Sequence, residues 1–355
     1  MALIKLNTRS IPDDAVTPAK VSQNLGRRNM IINGDFQVWT LGTTVDASSE
    51  ILSDRWLGYS TNSGVNNPGM RAVKGTGVTP IAEYGHYSEV KFISANTGIN
   101  YLTFGQRIES SVTKNQLAAG DKVTFSCYIK RKQAAASDIK VHVRYPLNGV
   151  DSYHSGRTLL SAYDTSIAIP YTNTFNNLPL DTWVRISGTF DANSAMANRG
   201  CAVFLENGPS DLGVNNGDTI YETTGWQLEK GDTATSYEHR TYAEEKHACA
   251  RYLVHVGTGH FAGYQNGVNN AVCTIPLVTP LRVNPTITAS GTRHIWRHNG
   301  FNTISSSTVS ASSSNFNDNG KHRNSIEINT DGGGSGVNGY VACVYYSTLT
   351  LDSEI

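Results

Sequence analysis

Six side chains between positions 145 and 171 carry the chemistry that is easiest to read from this sequence. Tyr145, Tyr153, Tyr163 and Tyr171 offer flat aromatic faces, and Asn148 and Asp151 place an amide and a carboxylate among them. Aromatic faces take the CH surfaces of sugar rings, while amides and carboxylates take sugar hydroxyls. That combination is glycan-binding chemistry. The competing role for any one of these tyrosines is packing, within its own loop or at a subunit interface, where aromatics are also enriched.

Other residues invite other chemistry and support it less. Glu206, Asp211, Asp218 and Glu222 could supply the carboxylate pair of a glycosidase, but nothing in their spacing makes any two converge. His294 and His298 share one face of a strand and lie too far apart there to hold one ion. Trp39, Trp56, Trp183 and Trp226 sit in strand-like surroundings and read as core. The chain has no nucleophile-elbow, zinc-protease, Walker or dinucleotide fingerprint. It reads as a binding protein, not an enzyme.

The elements that must position these residues are strands. Residues 122–129 and 138–145 alternate polar with apolar, as half-buried antiparallel strands do. Further strand signals fall at 30–32, 89–93, 183–190, 201–205 and 219–227. Turn chemistry separates them, for example at Asn148-Gly149 and Asn216-Gly217-Asp218. Residues 145–180 break this rhythm and read as a long connection, the kind that is usually functional. Residues 241–252 form the one good helix candidate, because Thr241 and Glu244 fit a capping box. Residues 253–355 hold a second, smaller set of strands. The expected domains are therefore 1–28, an extended segment; 29–240, a β-sandwich; 241–252, a linking helix; and 253–355, a C-terminal β domain.

Composition bounds the partners. The 355 residues carry 29 basic and 29 acidic side chains, a net charge of zero, which argues against nucleic-acid binding. The 5 cysteines form no CxxC pair and read as free thiols packed as small hydrophobes. No apolar run approaches membrane-spanning length, so no membrane insertion is expected. Residues 1–28 hold charges where a secretory core would lie, so synthesis in a cytoplasm without a signal peptide is expected. In that segment Ile11, Val16 and Val21 are spaced aliphatics suited to docking on another protein.

Four stretches resemble phage virion appendage proteins, the tail fibres with a carbohydrate-binding-type jelly roll. The first is Ile11-Pro12-Asp13-Asp14-Ala15-Val16-Thr17-Pro18-Ala19-Lys20. The second is Asn29-Met30-Ile31-Ile32-Asn33-Gly34-Asp35-Phe36-Gln37-Val38-Trp39, followed by Ser53-Asp54-Arg55-Trp56. The third is Gly225-Trp226-Gln227-Leu228-Glu229-Lys230-Gly231 with Ala234-Thr235-Ser236-Tyr237-Glu238-His239-Arg240 and Cys249-Ala250-Arg251-Tyr252. The last is the acidic end, Leu351-Asp352-Ser353-Glu354-Ile355. The resemblance implies an all-β jelly-roll sandwich, a homotrimer, and attachment to a phage tail, baseplate or capsid protein through residues 1–28. It implies a place on the virion and binding to a host surface polysaccharide. It also implies a structural calcium, for which Asp35 is the candidate side chain; no other cofactor is expected. The alternatives are a capsid- or baseplate-decorating protein without glycan binding, and a polysaccharide depolymerase.

Overall fold

The computed structural model describes residues 27–46, 51–62, 65–67, 70–81, 85–93, 99–133, 139–152, 167–207, 217–256, 259–265, 270–283, 285–297, 300–304, 309–311, 325–331 and 341–352. Ile11, Val16, Val21, Tyr153 and Tyr163 lie outside them.

The first strands are β1 (Thr44–Asp46), β2 (Ile51–Ser53), β3 (Trp56–Asn62), β4 (Val65–Asn67), β5 (Met70–Thr76) and β6 (His86–Phe92). After β7 (Ile99–Ile108) come helix α1 (Ser110–Gln116), β8 (Lys122–Arg131) and β9 (Ile139–Pro146). The unit is completed by β10 (Ile167–Phe175), β11 (Trp183–Asp191), α2 (Ser194–Arg199), β12 (Cys201–Asn207) and β13 (Thr219–Lys230). Sheet A runs β1-β5-β6-β13-β8-β11, and sheet B runs β10-β9-β12-β7-β3-β2 with β4 on β3. The pairings are antiparallel, and strands distant in sequence are neighbours in space, as in a jelly-roll sandwich.

Alternation along the strands fills the space between the sheets. Val123, Phe125, Cys127 and Ile129 of β8 point inward, as do Ile139, Val141 and Val143 of β9. At the centre Trp56 stacks on Phe104 at 5.1 Å, and Trp226 meets Trp56 edge-on at 4.8 Å. Cys127, Cys201, Cys249 and Cys273 are buried, and burial pushes the Cys127 and Cys201 thiols up.

Residues 30–32 differ from expectation. They form no strand: Met30 keeps one backbone bond, donating to the Leu228 carbonyl at 2.9 Å, while the Asn29 Oδ1 accepts the Ile31 and Leu228 amides at 3.0 Å each. Asn33-Gly34 does make a turn, with the Phe36 amide donating to the Asn33 carbonyl at 3.1 Å. Asn33 is left-handed at φ 57°, and a Cβ on Gly34 would sit 2.3 Å from the Trp226 carbonyl oxygen. Gly34 is needed for that close approach. The expected long connection of residues 145–180 contains a full strand, β10, which pairs with β9.

Helix α3 (Tyr242–Ala250) follows, with the capping box formed by Thr241 and Glu244. Strands β14 (Leu253–Val256), β15 (Gly259–Gln265), β16 (Asn270–Pro276) and β17 (Thr286–Arg297) begin sheet C. They are joined by β18 (Gly300–Ile304), β19 (Val309–Ala311), β20 (Ser325–Asp331) and β21 (Val341–Asp352). The sheet runs β18-β17-β21-β15-β16-β20-β19, with β14 on β21. Arg282 ties it to the sandwich, contacting Glu109 at 3.3 Å and Asp151 at 3.6 Å.

Candidate functional site

The tyrosines read as sugar platforms do not assemble into one. Tyr145 on β9 and Tyr171 on β10 face inward and are packed half-buried against the core. Tyr171 stacks on Phe190 at 5.1 Å, bridging the open edge between the sheets. Its hydroxyl occupies the space that a Cβ on Gly188 would need. Asp151 serves the fold: its carboxylate accepts the Ser110 amide at 2.7 Å and the Ser110 hydroxyl at 2.9 Å, at the start of α1. Asn148 alone of the described set is exposed, in the turn after β9.

Asp35 is buried, and burial is what pushes its carboxyl above the usual range. Its Oδ2 accepts from Gln37 Nε2 at 2.5 Å, and its Oδ1 has no hydrogen-bond partner. Calcium needs a shell of about six to eight oxygens. The nearby oxygens are taken by donors: Arg240 holds the Asn29 and Ile31 carbonyls, and Gln37 donates to the Arg240 carbonyl at 3.1 Å. A guanidinium thus occupies the electrostatic role of a cation. Among the described residues no group of three or more His, Cys, Asp or Glu gathers to hold a metal. The donor set around Asp35 does not fit the calcium site that the resemblance implies.

The outer face of sheet B carries a closed polar cluster. His142 Nδ1 lies 2.9 Å from Thr172 Oγ1, and its Nε2 lies 3.6 Å from Glu206. Arg144 reaches Glu206 at 3.4 Å and lies 5.5 Å over the Phe204 ring. His142, Arg144, Phe204 and Glu206 are all buried.

The outer face of sheet A is different. Register puts Trp183, Lys130, Glu222 and Glu89 in one row across β11, β8, β13 and β6. Lys130 bonds Glu222 at 2.7 Å and lies 5.4 Å from the Trp183 ring. Tyr87 of β6 and Trp183 of β11 are separated by two strands, yet their rings meet edge to face at 5.7 Å. The next row holds Arg185 and Tyr128, with the guanidinium 5.7 Å from the ring. Trp183, Tyr87, Tyr128 and Arg185 are all half-exposed. Sugars bind at faces of this make-up, with aromatic rings for CH groups beside fixed charges for hydroxyls.

Trp183 was expected in the core. The alternation of β11 explains the difference: Val184, Ile186 and Phe190 take the inner face, so Trp183 and Arg185 fall on the outer one. That periodicity is present in the sequence. The convergence of Tyr87 on Trp183 is not, because it depends on strand order.

No family model and no curated protein matches this chain. Among solved structures, the chain is similar to the enzymatically active domain of tailspike protein 4 from bacteriophage CBA120. That match has 11% identity and a TM-score of 0.35, over 57% of this chain and 21% of the tailspike chain. A candidate sugar-binding protein of Bacteroides thetaiotaomicron matches with 16% identity and a TM-score of 0.33, over 57% of this chain and all (100%) of its own. The CBM22-2 xylan-binding domain of Paenibacillus barcinonensis Xyn10C matches with 13% identity and a TM-score of 0.30, over 53% of this chain and 98% of its own. The sandwich assignment rests on strand order and register, not on these likenesses.

Proposed function

We propose that this chain is a phage virion appendage protein of the tail-fibre kind, which binds a host surface glycan through the outer face of sheet A. The observation that supports the reading is the meeting of Trp183 and Tyr87 above the Lys130–Glu222 pair. The rings are held by a rigid sheet and stay half-exposed, so little ordering cost falls on binding. Residues 1–28 attach the protein to the tail, baseplate or capsid, and the protein works as a homotrimer on the particle. It binds without catalysis.

The test is a glycan array probed with the full chain and with Trp183→Ala. The expected result is binding to a restricted glycan set, lost at least about tenfold in the variant, equivalent to about 1.4 kcal/mol. Absence of binding by folded full-length protein, with a lattice position on the particle by cryo-electron microscopy, would favour a decorating protein instead. Release of reducing ends from host polysaccharide would favour a depolymerase.

A further inference from the structure

We infer that the ligand of the sheet A face is an acidic saccharide, whose carboxylate pairs with Arg185. This inference rests on the glycan-binding reading above and narrows it to a ligand class.

Charge on this face is balanced almost everywhere. Lys130 has Glu222 at 2.7 Å, Lys91 has Glu89 at 3.1 Å, and Lys122 has Asp191 at 2.7 Å. Lys132 is paired with Asp181, and Arg71 with Asp46. Arg185 is the exception. Its guanidinium donates to the Ser126 hydroxyl at 3.1 Å and to the Thr235 carbonyl, both neutral oxygens. No carboxylate of the described residues pairs with it. Glu229 connects to it only through Thr235, and Glu229 is already engaged by Arg28 at 3.2 Å, by Gln227 at 2.7 Å and by Thr235.

The position of Arg185 gives this unpaired charge a use. Two residues along the same strand face, Trp183 offers its ring, and across the pair Tyr128 offers another. A sugar lying on Trp183 would bring a ring substituent into reach of the guanidinium. The two neutral acceptors hold one nitrogen of the fork, Nη2, and so orient it. A planar, pre-oriented guanidinium favours a carboxylate, which it can take with two parallel hydrogen bonds. Partial burial strengthens that pairing over one in open solvent.

The test compares acidic oligosaccharides with neutral forms of the same backbone. Hexamers of galacturonate, mannuronate and α-2,8-linked sialic acid are each titrated calorimetrically into the full chain beside their methyl esters. The expected result is at least one acid that binds about tenfold or more tighter than its ester, with a preference that shrinks as salt rises. Arg185→Gln should remove the preference, weakening the acid about tenfold or more and the ester by less, so that the two bind alike. Arg185→Lys should retain only part of it, since an ammonium lacks the planar fork. Melting temperatures of both variants report that the fold is kept. The acid–ester comparison on unaltered protein stands even if a variant fails to fold. Equal binding of acid and ester, or a preference that survives Arg185→Gln, overturns this inference and leaves the glycan reading intact. Binding of none of the six oligomers, together with an empty glycan array, overturns both.

Discussion

The Glu245 carboxylate accepts the backbone N–H of Asn33 at 2.7 Å, across 212 positions of chain. The same carboxylate holds Arg240 at 3.3 Å, and Arg240 in turn donates to the Ile31 carbonyl at 3.1 Å. All four residues are buried. Entry and exit of the sandwich are therefore sewn together by one buried ion pair. Glu245→Ala should destabilise the fold by about 3 kcal/mol, because it removes the nearer carboxylate of the buried Arg240 charge and leaves Glu238 at 3.8 Å. Glu245→Gln should cost less, since an amide oxygen can still accept from Asn33. Urea denaturation measures both, and near-equal midpoints for Glu245→Ala and the unaltered protein would refute the assignment.

Asp35 gives a pH signature. Burial raises its carboxyl above the usual value, so the folded state holds a proton that the unfolded state has lost. Stability from this group is present at low pH and falls as pH rises from the ordinary carboxylate range through the raised value. Asp35→Asn removes that slope. The melting-temperature difference, variant minus unaltered protein, should grow more positive between pH 4 and pH 8. A difference that shrinks over that interval would contradict the burial account.

Gly75 offers a way to move Tyr87 without touching it. A Cβ at position 75 would sit 2.0 Å from Tyr87 Cε2. The ring is half-exposed and free to swing outward, so Gly75→Ala should cost little stability. It should nevertheless break the Tyr87–Trp183 contact and weaken glycan binding several-fold. Paired melting and titration experiments separate the two effects; a large loss of stability with unchanged affinity would count against this role for Tyr87.

Tyr171 provides the opposite control. It is half-buried and stacked on Phe190 at 5.1 Å, closing the edge of the sandwich. Tyr171→Ala should lose about 2 kcal/mol, less than the 3–5 of a fully buried aromatic. Glycan affinity should not change in protein that remains folded. Loss of affinity at unchanged stability would return Tyr171 to the ligand.

Local pattern carried much of the fold into the sequence. The alternation in β8 and β9 and the capping box at Thr241 each depend on neighbours within a few residues, and each is visible there. Asn29 was opaque because its side chain accepts the amide of a partner 199 positions away. The binding face was opaque for the same reason. Trp183 and Arg185 are two positions apart in one strand, but Tyr128 and Tyr87 reach them only through the order β6-β13-β8-β11. The tyrosines of residues 145–171 drew attention by composition, whereas strand register turns Tyr145 and Tyr171 inward.

The joint between residues 28–33 and 226–245 also decides how the protein bears load. Arg28 and Asn29 donate their backbone N–H groups to Glu238 at 3.2 and 2.5 Å, and Asn29 grips the Trp226 carbonyl at 2.9 Å. The chain thus leaves the sandwich where it entered. A pull between Arg28 and sheet C would pass chiefly through this short buckle and α3, with Arg282 as a side tie to Glu109 and Asp151. Most of the sandwich, the outer face of sheet A included, would lie beside such a path and not along it.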